Sequence, residues 1–319
     1  MIRPNSLSEF VGQQNARRIL SVLITASKRR GEPVPHVLMS GPSGLGKTTL
    51  ARIVATEMNG RLIEMVGSSL KNATDMTAQL LELRANDVLF IDEIHALPRK
   101  LEEVMYPAIE DGVITTAEAG FDDLMKQLGI RNGDKSRKTH QLPPFTLIGA
   151  TTLLGLTTAP LRSRFRQIIE LEAYNDEELR TIIANAATKL AFDVPGEVSR
   201  AIAIRSRGTA RTAMSNLMWY RDYVQADGGI ATMEALQAAF ELKGIDRNGM
   251  TRTDREYLKR LVEADEPVGV ETLASAIGES VETLEENVEP FLLRQGYINR
   301  TSRGRVATEK ATQILMEVA

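Results

Sequence analysis

The chain has 319 residues, of which 43% are hydrophobic and 25% charged, and its net charge is −3 at pH 7. These values are typical of a globular protein with two or three domains, and they exclude binding of nucleic acid through a generally basic surface. The absence of cysteine excludes disulfides, a thiolate nucleophile and thiolate-bound zinc. Since the N-terminus lacks the apolar core of a signal peptide and no apolar run reaches about 18 residues, we expect a cytoplasmic protein.

A glycine-rich turn, GPSGLGKT, occupies residues 41–48 between a short apolar run and a helical pattern. The order strand, turn, helix and the pattern G-x-x-x-x-G-K-[ST] predict a phosphate-binding loop, whose backbone N–H groups point at phosphate oxygens. Lys47 is placed to reach the β- and γ-phosphates, and the Thr48 hydroxyl to hold Mg²⁺. The predicted nucleotide contacts in this stretch are Gly41, Gly44, Leu45, Gly46, Lys47, Thr48 and Thr49.

The first half of the chain has the pattern of an α/β domain. Helical spacing over about residues 14–30 predicts an amphipathic helix that Gly31 ends. Short apolar runs, separated by helical segments, indicate a parallel sheet covered on both faces. These runs are Val37–Met39, Leu62–Val66, Val88–Ile91, Phe145–Ala150 and Ile168–Leu171.

The second half predicts two helical units. Asn175 followed by three acidic residues has the form of a helix start with a capping box to Glu178, and only helical periodicity follows as far as Lys243. Next, Thr253-x-x-Glu256 opens one helix, and two more helices and a hairpin around residues 297–307 favour a winged helix. The predicted domains are residues 1–174, 175–248 and 249–319.

Two carboxylates follow the apolar strand at Val88–Ile91. Asp92 can hold Mg²⁺, and Glu93 can orient or deprotonate an attacking water. Glu93 has no role in holding phosphates, so the pair predicts hydrolysis of a nucleoside triphosphate and not binding alone. A hydroxyl at Thr152, after a later strand, could bond the γ-phosphate or the water.

Several arginines are candidates for contact with the transferred phosphate. Arg162, Arg164 and Arg166 lie within five positions, and an arginine supplied in trans can stabilise the charge that develops during phosphoryl transfer. The sequence leaves open whether they face their own site, a neighbour's site or solvent. Arg211 lies in the first turn of a helix, where the dipole disfavours cations, so we expect it to meet an anion, either the γ-phosphate or a structural carboxylate.

The last unit is acidic. Residues 250–319 contain 9 basic and 13 acidic residues, a balance of −4. The helix that would enter a major groove carries Glu282, Glu285, Glu286 and Glu289, which phosphates would repel. Any contact with DNA is therefore expected through the hairpin residues Arg300, Arg303 and Arg305, without sequence specificity. The alternative is a protein-contact module with a basic hairpin.

These motifs follow one order through nearly the whole chain. RPNSLSEFVGQ (3–13), GPSGLGKTTLA (41–51), VLFIDEIHAL (88–97), RSRGTAR (205–211) and EPFLLRQGYINRTSRGRVAT (289–308) resemble the RuvB family of AAA+ motors, which drive branch migration of Holliday junctions. The resemblance implies an AAA+ domain, a helical lid and a winged helix. It also implies an ATPase that uses Mg²⁺ and forms a hexameric ring around duplex DNA.

The resemblance assigns roles by position. Lys47 and Thr48 would bind phosphate and Mg²⁺, and Asp92 and Glu93 would form the Walker B pair. The remaining assignments are Thr152 as sensor 1, Arg164 as the arginine finger with Arg162 as second candidate, Arg211 as sensor 2, and Phe10, Val11 and Tyr174 as the adenine pocket.

The chain departs from the family at several places. Ser43 and Ala210 stand where prolines are usual, Leu153-Leu154 replaces Arg-Ala, and Arg166 replaces a glycine. The segment at residues 111–141 is longer than the family's hairpin and does not resemble it. That hairpin is where RuvB-like motors meet RuvA, so a RuvA-type partner stays an open prediction. The alternatives to a motor are an initiator or loader that uses nucleotide as a switch and a non-catalytic scaffold.

Overall fold

The computed structural model describes residues 2–116 and 138–318. It divides into two compact units, Met1–Tyr174 and Asn175–Ala319. None of the helices in these ranges is long and apolar enough to cross a membrane.

A five-stranded sheet forms the centre of the first unit, and the predicted α/β class is confirmed. Its strand order is β2-β3-β6-β1-β7, and every neighbouring pair is parallel. The apolar runs in the sequence become these strands with shifts of at most one residue. The strands are β1 (Val37–Ser40), β2 (Leu62–Val66), β3 (Val88–Asp92), β6 (Thr146–Thr151) and β7 (Gln167–Glu170), while β4 (Val113–Thr116) and β5 (Lys138–Gln141) form a separate antiparallel pair.

Helices pack on the sheet through alternate strand residues. Leu38, Leu89 and Leu147 share one buried cluster with residues of α3 and α4, and the intervening strand residues face the other side, where α2 contacts β3 and β6. The first helix has the predicted bounds, and Gly31 ends it at a φ of 68°. The helices of this unit are α1 (Gln14–Arg30), α2 (Lys47–Glu57), α3 (Ala73–Leu81), α4 (Arg99–Glu110) and α5 (Ala159–Arg162).

The segment at residues 111–141 is described at its two ends. Gln141 pairs with Val113 and Lys138 with Thr116, so β4 and β5 form an antiparallel pair, and β4 begins shortly after α4 ends. Residues 117–137, which make up most of this segment, lie outside the described residues.

The second unit begins with four helices. The capping box predicted at Asn175 is present, because its side chain accepts from the Glu178 N–H at 2.9 Å and the Glu178 carboxylate accepts from the Asn175 N–H at 3.0 Å. The helices are α6 (Asp176–Lys189), α7 (Gly196–Ile204), α8 (Ala210–Ala226) and α9 (Met233–Leu242).

The winged-helix topology predicted for the end of the chain is confirmed, with one correction. The helix start predicted from Thr253 and Glu256 is wrong, because Thr251 caps the helix and Asp254 completes the capping box. Asp254, three residues after Thr251, accepts the Thr251 N–H at 2.7 Å, so the capping box lies two residues before the predicted one. The elements are α10 (Arg252–Val262), α11 (Val270–Ile277), α12 (Val281–Thr283), a π-helical turn (Leu284–Val288), α13 (Glu289–Arg294), β8 (Ile298–Thr301), β9 (Gly304–Ala307) and α14 (Glu309–Val318).

A buried ion pair joins the four-helix part of the second unit to the winged helix. Arg207 donates from both terminal nitrogens to the fully buried carboxylate of Asp254, at 3.0 Å each, and to the carbonyl of Asn287 at 2.6 Å. Its guanidinium also lies 4.4 Å from the centre of the Phe291 ring. The loop between α7 and α8 is therefore fixed to α10 and to the turn before α13.

His36 links β1 and β6 to the end of α4. Its Nδ1 accepts the Leu147 N–H at 2.8 Å, and its Nε2 lies 3.2 Å from the Ile109 carbonyl. Only the neutral ring with a proton on Nε2 satisfies both contacts. Burial lowers the pKa of His36 below its ordinary value, and the bond to Ile109 opposes the shift without cancelling it.

We expect His36 to make the first unit less stable in mild acid. The unfolded chain binds the imidazole proton near pH 6.5, whereas the folded chain binds it only at lower pH. The stabilising contribution is therefore fully present above pH 6.5 and is lost as pH falls through the folded pKa. Urea unfolding between pH 7.5 and pH 5 should show this loss in the wild type and a smaller loss in His36→Gln. A drop of equal size in His36→Gln, with His140→Gln as control, would contradict this prediction.

We expect Arg207→Ala to destabilise the second unit by about 3 to 5 kcal/mol, because it leaves the Asp254 carboxylate buried without its counterion. The free energy of unfolding is the quantity to measure. The matched control is Arg260→Ala, which removes an exposed partner of Glu256 on α10 and should cost less than about 1 kcal/mol. Equal effects of the two variants would show that the Arg207 contact adds no more than a surface pair.

Candidate functional site

The glycine-rich turn has the conformation of an open phosphate loop. Gly41, Gly44 and Gly46 have φ values of 130°, 81° and 104°, which favour glycine. The helix that follows begins at Lys47 with no side chain capping its N-terminus, so its first N–H groups are available to a bound anion. The Lys47 ammonium lies against the same turn, 2.6 Å from the Gly41 carbonyl and 3.0 Å from the Pro42 carbonyl.

Two aromatic side chains support the loop from behind. A Cβ on Gly46 would lie 2.8 Å from the Phe10 ring, so only glycine allows this approach. The Tyr174 hydroxyl donates to the Leu45 carbonyl at 2.8 Å. Phe10 and Tyr174 are both buried, and Val11 beside Phe10 is half-buried. The structure therefore brings two of the three predicted adenine-pocket residues directly against the phosphate loop.

The predicted Walker B pair and Thr152 meet at the carboxyl ends of β3 and β6. Because these strands are neighbours, the Thr152 hydroxyl reaches Glu93 Oε2 at 3.1 Å. Glu93 has a φ of 47°, and its N–H donates to Asp92 Oδ1 at 3.1 Å. A Cβ on Gly67 would lie 2.4 Å from the Glu93 carbonyl, so the neighbouring turn also approaches Glu93 closely. The residues predicted as Mg²⁺ ligand (Asp92), base (Glu93) and hydroxyl (Thr152) thus form one cluster.

His95 belongs to this cluster, although the sequence predicted no more for it than a surface position or a structural hydrogen bond. Its Nδ1 lies 3.2 Å from Glu93 Oε2 and 2.9 Å from the hydroxyl of Thr151. Glu93 therefore has a hydroxyl and an imidazole on the same carboxylate oxygen. The signal that could have found His95 was its position two residues after Glu93, at the end of a buried strand.

The residues of this site fit a nucleotide with a divalent cation. Uncapped N–H groups and Lys47 offer positive charge for phosphates, while Thr48 and Asp92 offer the oxygen ligands that Mg²⁺ prefers. Gly41 donates its N–H to the Thr151 carbonyl at 3.2 Å, which ties the phosphate loop to the strand that carries Thr152. The loop and the carboxylate cluster are thereby held together along the same edge of the sheet.

The three arginines near residue 164 have different surroundings. Arg164 stacks over the Tyr106 ring, 3.8 Å from its centre, and donates to the Pro160 carbonyl at 2.6 Å. It also pairs with Glu110 at 3.1 Å. Arg162 is half-buried at the end of α5, and Arg166 is exposed. Arg164 is therefore not part of a solvated basic loop.

Arg211 lies where the sequence predicted, in the first turn of α8. Thr209 caps this helix by accepting the Thr212 N–H at 3.2 Å, and Arg211 is exposed. Ala210, at the position of a usual proline, begins the helix without disturbing the cap.

The wing arginines divide into two kinds. Glu289 is fully buried and accepts from Arg300 Nε at 2.6 Å, from Arg305 Nε at 2.9 Å and from the Tyr257 hydroxyl at 2.7 Å. Burial alone would raise the pKa of Glu289, but these hydrogen bonds outweigh it and hold that pKa below its ordinary value. Arg303, by contrast, is exposed in the turn between β8 and β9.

The prediction that Glu289 lies on the helix face that would enter a major groove is therefore wrong. Glu289 does not face a groove, because its carboxylate lies inside the winged helix and binds the hairpin. Glu282, Glu285 and Glu286 are exposed, and Glu285 pairs with Arg305 at 2.8 Å.

Three protein-family models together match nearly the whole chain. The Holliday junction DNA helicase RuvB P-loop domain matches residues 2–171, the RuvB AAA lid domain residues 174–246, and the RuvB C-terminal winged helix domain residues 247–316.

Individual relatives agree with these matches. The Holliday junction branch migration complex subunit RuvB of Rubrobacter xylanophilus is 45% identical over 97% of this chain and 85% of its own length. A solved structure of the Thermotoga maritima RuvB Holliday junction branch migration motor is 40% identical, with a TM-score of 0.84 over 99% of this chain and 98% of that one. A point mutant of the same protein gives a TM-score of 0.86 at 40% identity over 98% of each chain. The chain therefore belongs to the RuvB family of AAA+ ATPases.

Proposed function

We propose that this protein is an ATP-driven DNA motor that drives branch migration of Holliday junctions in recombination and repair. The observation that carries the proposal is the meeting of Glu93 and Thr152 beside a complete phosphate loop, since a base there serves hydrolysis and not binding. The branch-migration activity named for the Rubrobacter and Thermotoga relatives supplies the substrate class. The initiator or loader alternative is not favoured, because all three matching family models are RuvB models.

Hydrolysis follows from the positions of the site residues. Glu93 orients a water in line with the γ-phosphorus and accepts its proton, while the bond to the ADP oxygen breaks and the water oxygen bonds to phosphorus. Thr152 donates to the Glu93 carboxylate and holds it in position, and His95 lies 3.2 Å from the same carboxylate oxygen. Lys47 neutralises the β- and γ-phosphates, and backbone N–H groups of residues 44–49 bind the phosphate oxygens. Thr48 and Asp92 would hold Mg²⁺, which supplies further charge neutralisation.

Three arginines complete the site in this proposal. Arg164 acts as the arginine finger toward the ATP of a neighbouring subunit, with Arg162 as second candidate, and Arg211 contacts the γ-phosphate as sensor 2. Phe10, Val11 and Tyr174 line the adenine pocket. A finger supplied in trans requires a neighbouring subunit, and we expect these subunits to form the hexameric ring that the family resemblance implies. In this proposal the chain has three domains, residues 1–174, 175–248 and 249–319.

The partners and location follow from this function. The substrate is a Holliday junction or other duplex DNA, bound through its backbone, and the protein acts in the cytoplasm. A RuvA-type junction-binding protein stays an open prediction, and the segment at residues 111–141 is where we expect such a partner to bind. The length of the segment at residues 111–141 favours a matched partner over a standard RuvA, which we expect to stimulate this protein poorly.

We expect Glu93→Gln to lower the DNA-stimulated rate of ATP hydrolysis by about 10² to 10⁴-fold while ATP still binds, because only the base is lost. Lys47→Ala should abolish both ATP binding and migration of a synthetic four-way junction. The matched control is Glu103→Gln on the exposed face of α4, which should leave the rate unchanged. Wild-type hydrolysis in Glu93→Gln would overturn the assignment of the base.

We expect Arg303→Ala to weaken binding of duplex DNA equally for all sequences and to reduce the slope of log K against log salt by about 1, because one phosphate contact is lost. Fluorescence anisotropy over a salt series measures this slope. Arg260→Ala, which removes an exposed charge of α10, is the control and should leave the slope unchanged. An unchanged slope in Arg303→Ala would show that the wing turn does not contact DNA.

A further inference from the structure

The guanidinium of Arg164 contacts three other residues of its own chain. It stacks on the Tyr106 ring at 3.8 Å, donates to the Pro160 carbonyl at 2.6 Å and pairs with Glu110 at 3.1 Å. Its Nε is buried without a hydrogen-bond partner, a cost that the stacking and the two polar contacts must offset. A side chain that had only to remain exposed would not need these contacts.

The Tyr106 ring is itself fixed from beneath. Its hydroxyl donates to Glu102 Oε2 at 2.8 Å, one helical turn earlier on α4. The same carboxylate oxygen accepts the Thr158 hydroxyl at 2.6 Å, and Glu102 is buried. Burial and the bond to Glu102 raise the pKa of Tyr106, so the phenol remains a donor at neutral pH.

Thr158 links Glu102 to the segment that carries Arg164. It caps α5 by accepting the Leu161 N–H at 3.3 Å, and Arg164 follows two residues after α5 ends. Glu102 therefore fixes both the ring under the guanidinium and the start of the helix from which the arginine extends. Glu110, the last residue of α4, holds the other side of the guanidinium just before the β4–β5 hairpin begins.

We propose that Tyr106 is a positioning residue for Arg164, a flat platform that holds the guanidinium ready for the ATP of the neighbouring subunit. This inference rests on the proposed role of Arg164 as an arginine finger. A free arginine side chain loses rotamer freedom when it is immobilised, and this loss opposes the contact. Stacking on Tyr106 meets that cost before the nucleotide arrives and leaves Nη2, which pairs with the exposed Glu110, as the nitrogen that can meet a phosphate. Glu110 is the contact that a γ-phosphate would replace.

The test compares Tyr106→Leu, which removes the ring, with Tyr106→Phe, which keeps the ring and removes only the bond to Glu102. Tyr106→Leu should lower kcat for DNA-stimulated ATP hydrolysis at least about tenfold, with KM for ATP changed less than about twofold, because a finger stabilises the charge that develops in the transition state and contributes little to binding of ATP. Tyr106→Phe should retain most of the rate. Equal loss in both variants, or a rise in kcat, would overturn the proposal.

A double-mutant cycle and a mixing experiment separate positioning from damage to the fold. Tyr106→Leu combined with Arg164→Ala should be no slower than Arg164→Ala alone, since both changes remove the same contribution. Added Lys47→Ala subunits, which cannot hydrolyse ATP but carry an intact finger, should restore hydrolysis in Tyr106→Leu and in Arg164→Ala. Additive losses in the cycle, or rescue of Arg164→Ala without rescue of Tyr106→Leu, would overturn the platform.

The same variants show which proposal fails, the role of Tyr106 as a platform or the role of Arg164 as an arginine finger. Wild-type hydrolysis in Arg164→Ala would overturn the finger and the platform together. A strong loss in Arg164→Ala with an unchanged rate in Tyr106→Leu would overturn the platform alone. Loss in Arg164→Ala without rescue by Lys47→Ala subunits would overturn supply in trans, whereas non-additivity in the cycle would still support Tyr106 as the residue that positions Arg164.

Discussion

The close approach of backbone and side chains around the phosphate loop constrains the whole first unit. A Cβ on Gly41 would lie 2.4 Å from the Leu171 carbonyl, and one on Gly46 would meet the Phe10 ring. The chain just after β7 and the N-terminal segment therefore pack directly against the loop, and only glycine at these two positions allows this packing. Gln13 ties these two segments together through hydrogen bonds of 2.6 Å and 3.2 Å to the backbone of Glu172.

Buried carboxylates set the positions of arginines elsewhere in the molecule. Asp254 holds Arg207, Glu289 holds Arg300 and Arg305, and Glu102 acts on Arg164 through Tyr106. A buried carboxylate is costly unless its oxygens are bonded, so each of these groups requires one arrangement of its partners. Arginines that would otherwise be mobile thereby acquire fixed positions, and this is the property that a coupled motor needs.

The clearest difference between what the sequence predicted and what the structure shows concerns the glutamates of the winged helix. A run of glutamates suggested a uniformly acidic helix, but a π-helical turn at residues 284–288 precedes Glu289, whose side chain lies inside the domain. Charge counting could not detect this, because it treats every carboxylate as exposed. The paired arginines of the hairpin stabilise the wing, and Arg303 alone among the three stands at its exposed turn.

The sequence by itself determined the local elements and the type of chemistry. The helix at Gln14–Arg30, the phosphate loop and the capping box at Asn175 depend on neighbours within a few residues, so their patterns are sufficient. Only the tertiary structure decided which groups meet across long separations. Strand order placed Thr152 beside Glu93, and packing placed His95 on the same oxygen and Tyr106 beneath Arg164. Such contacts arise from the order of parallel strands and from the need to pair buried charges, and neither leaves a periodic signal in the chain.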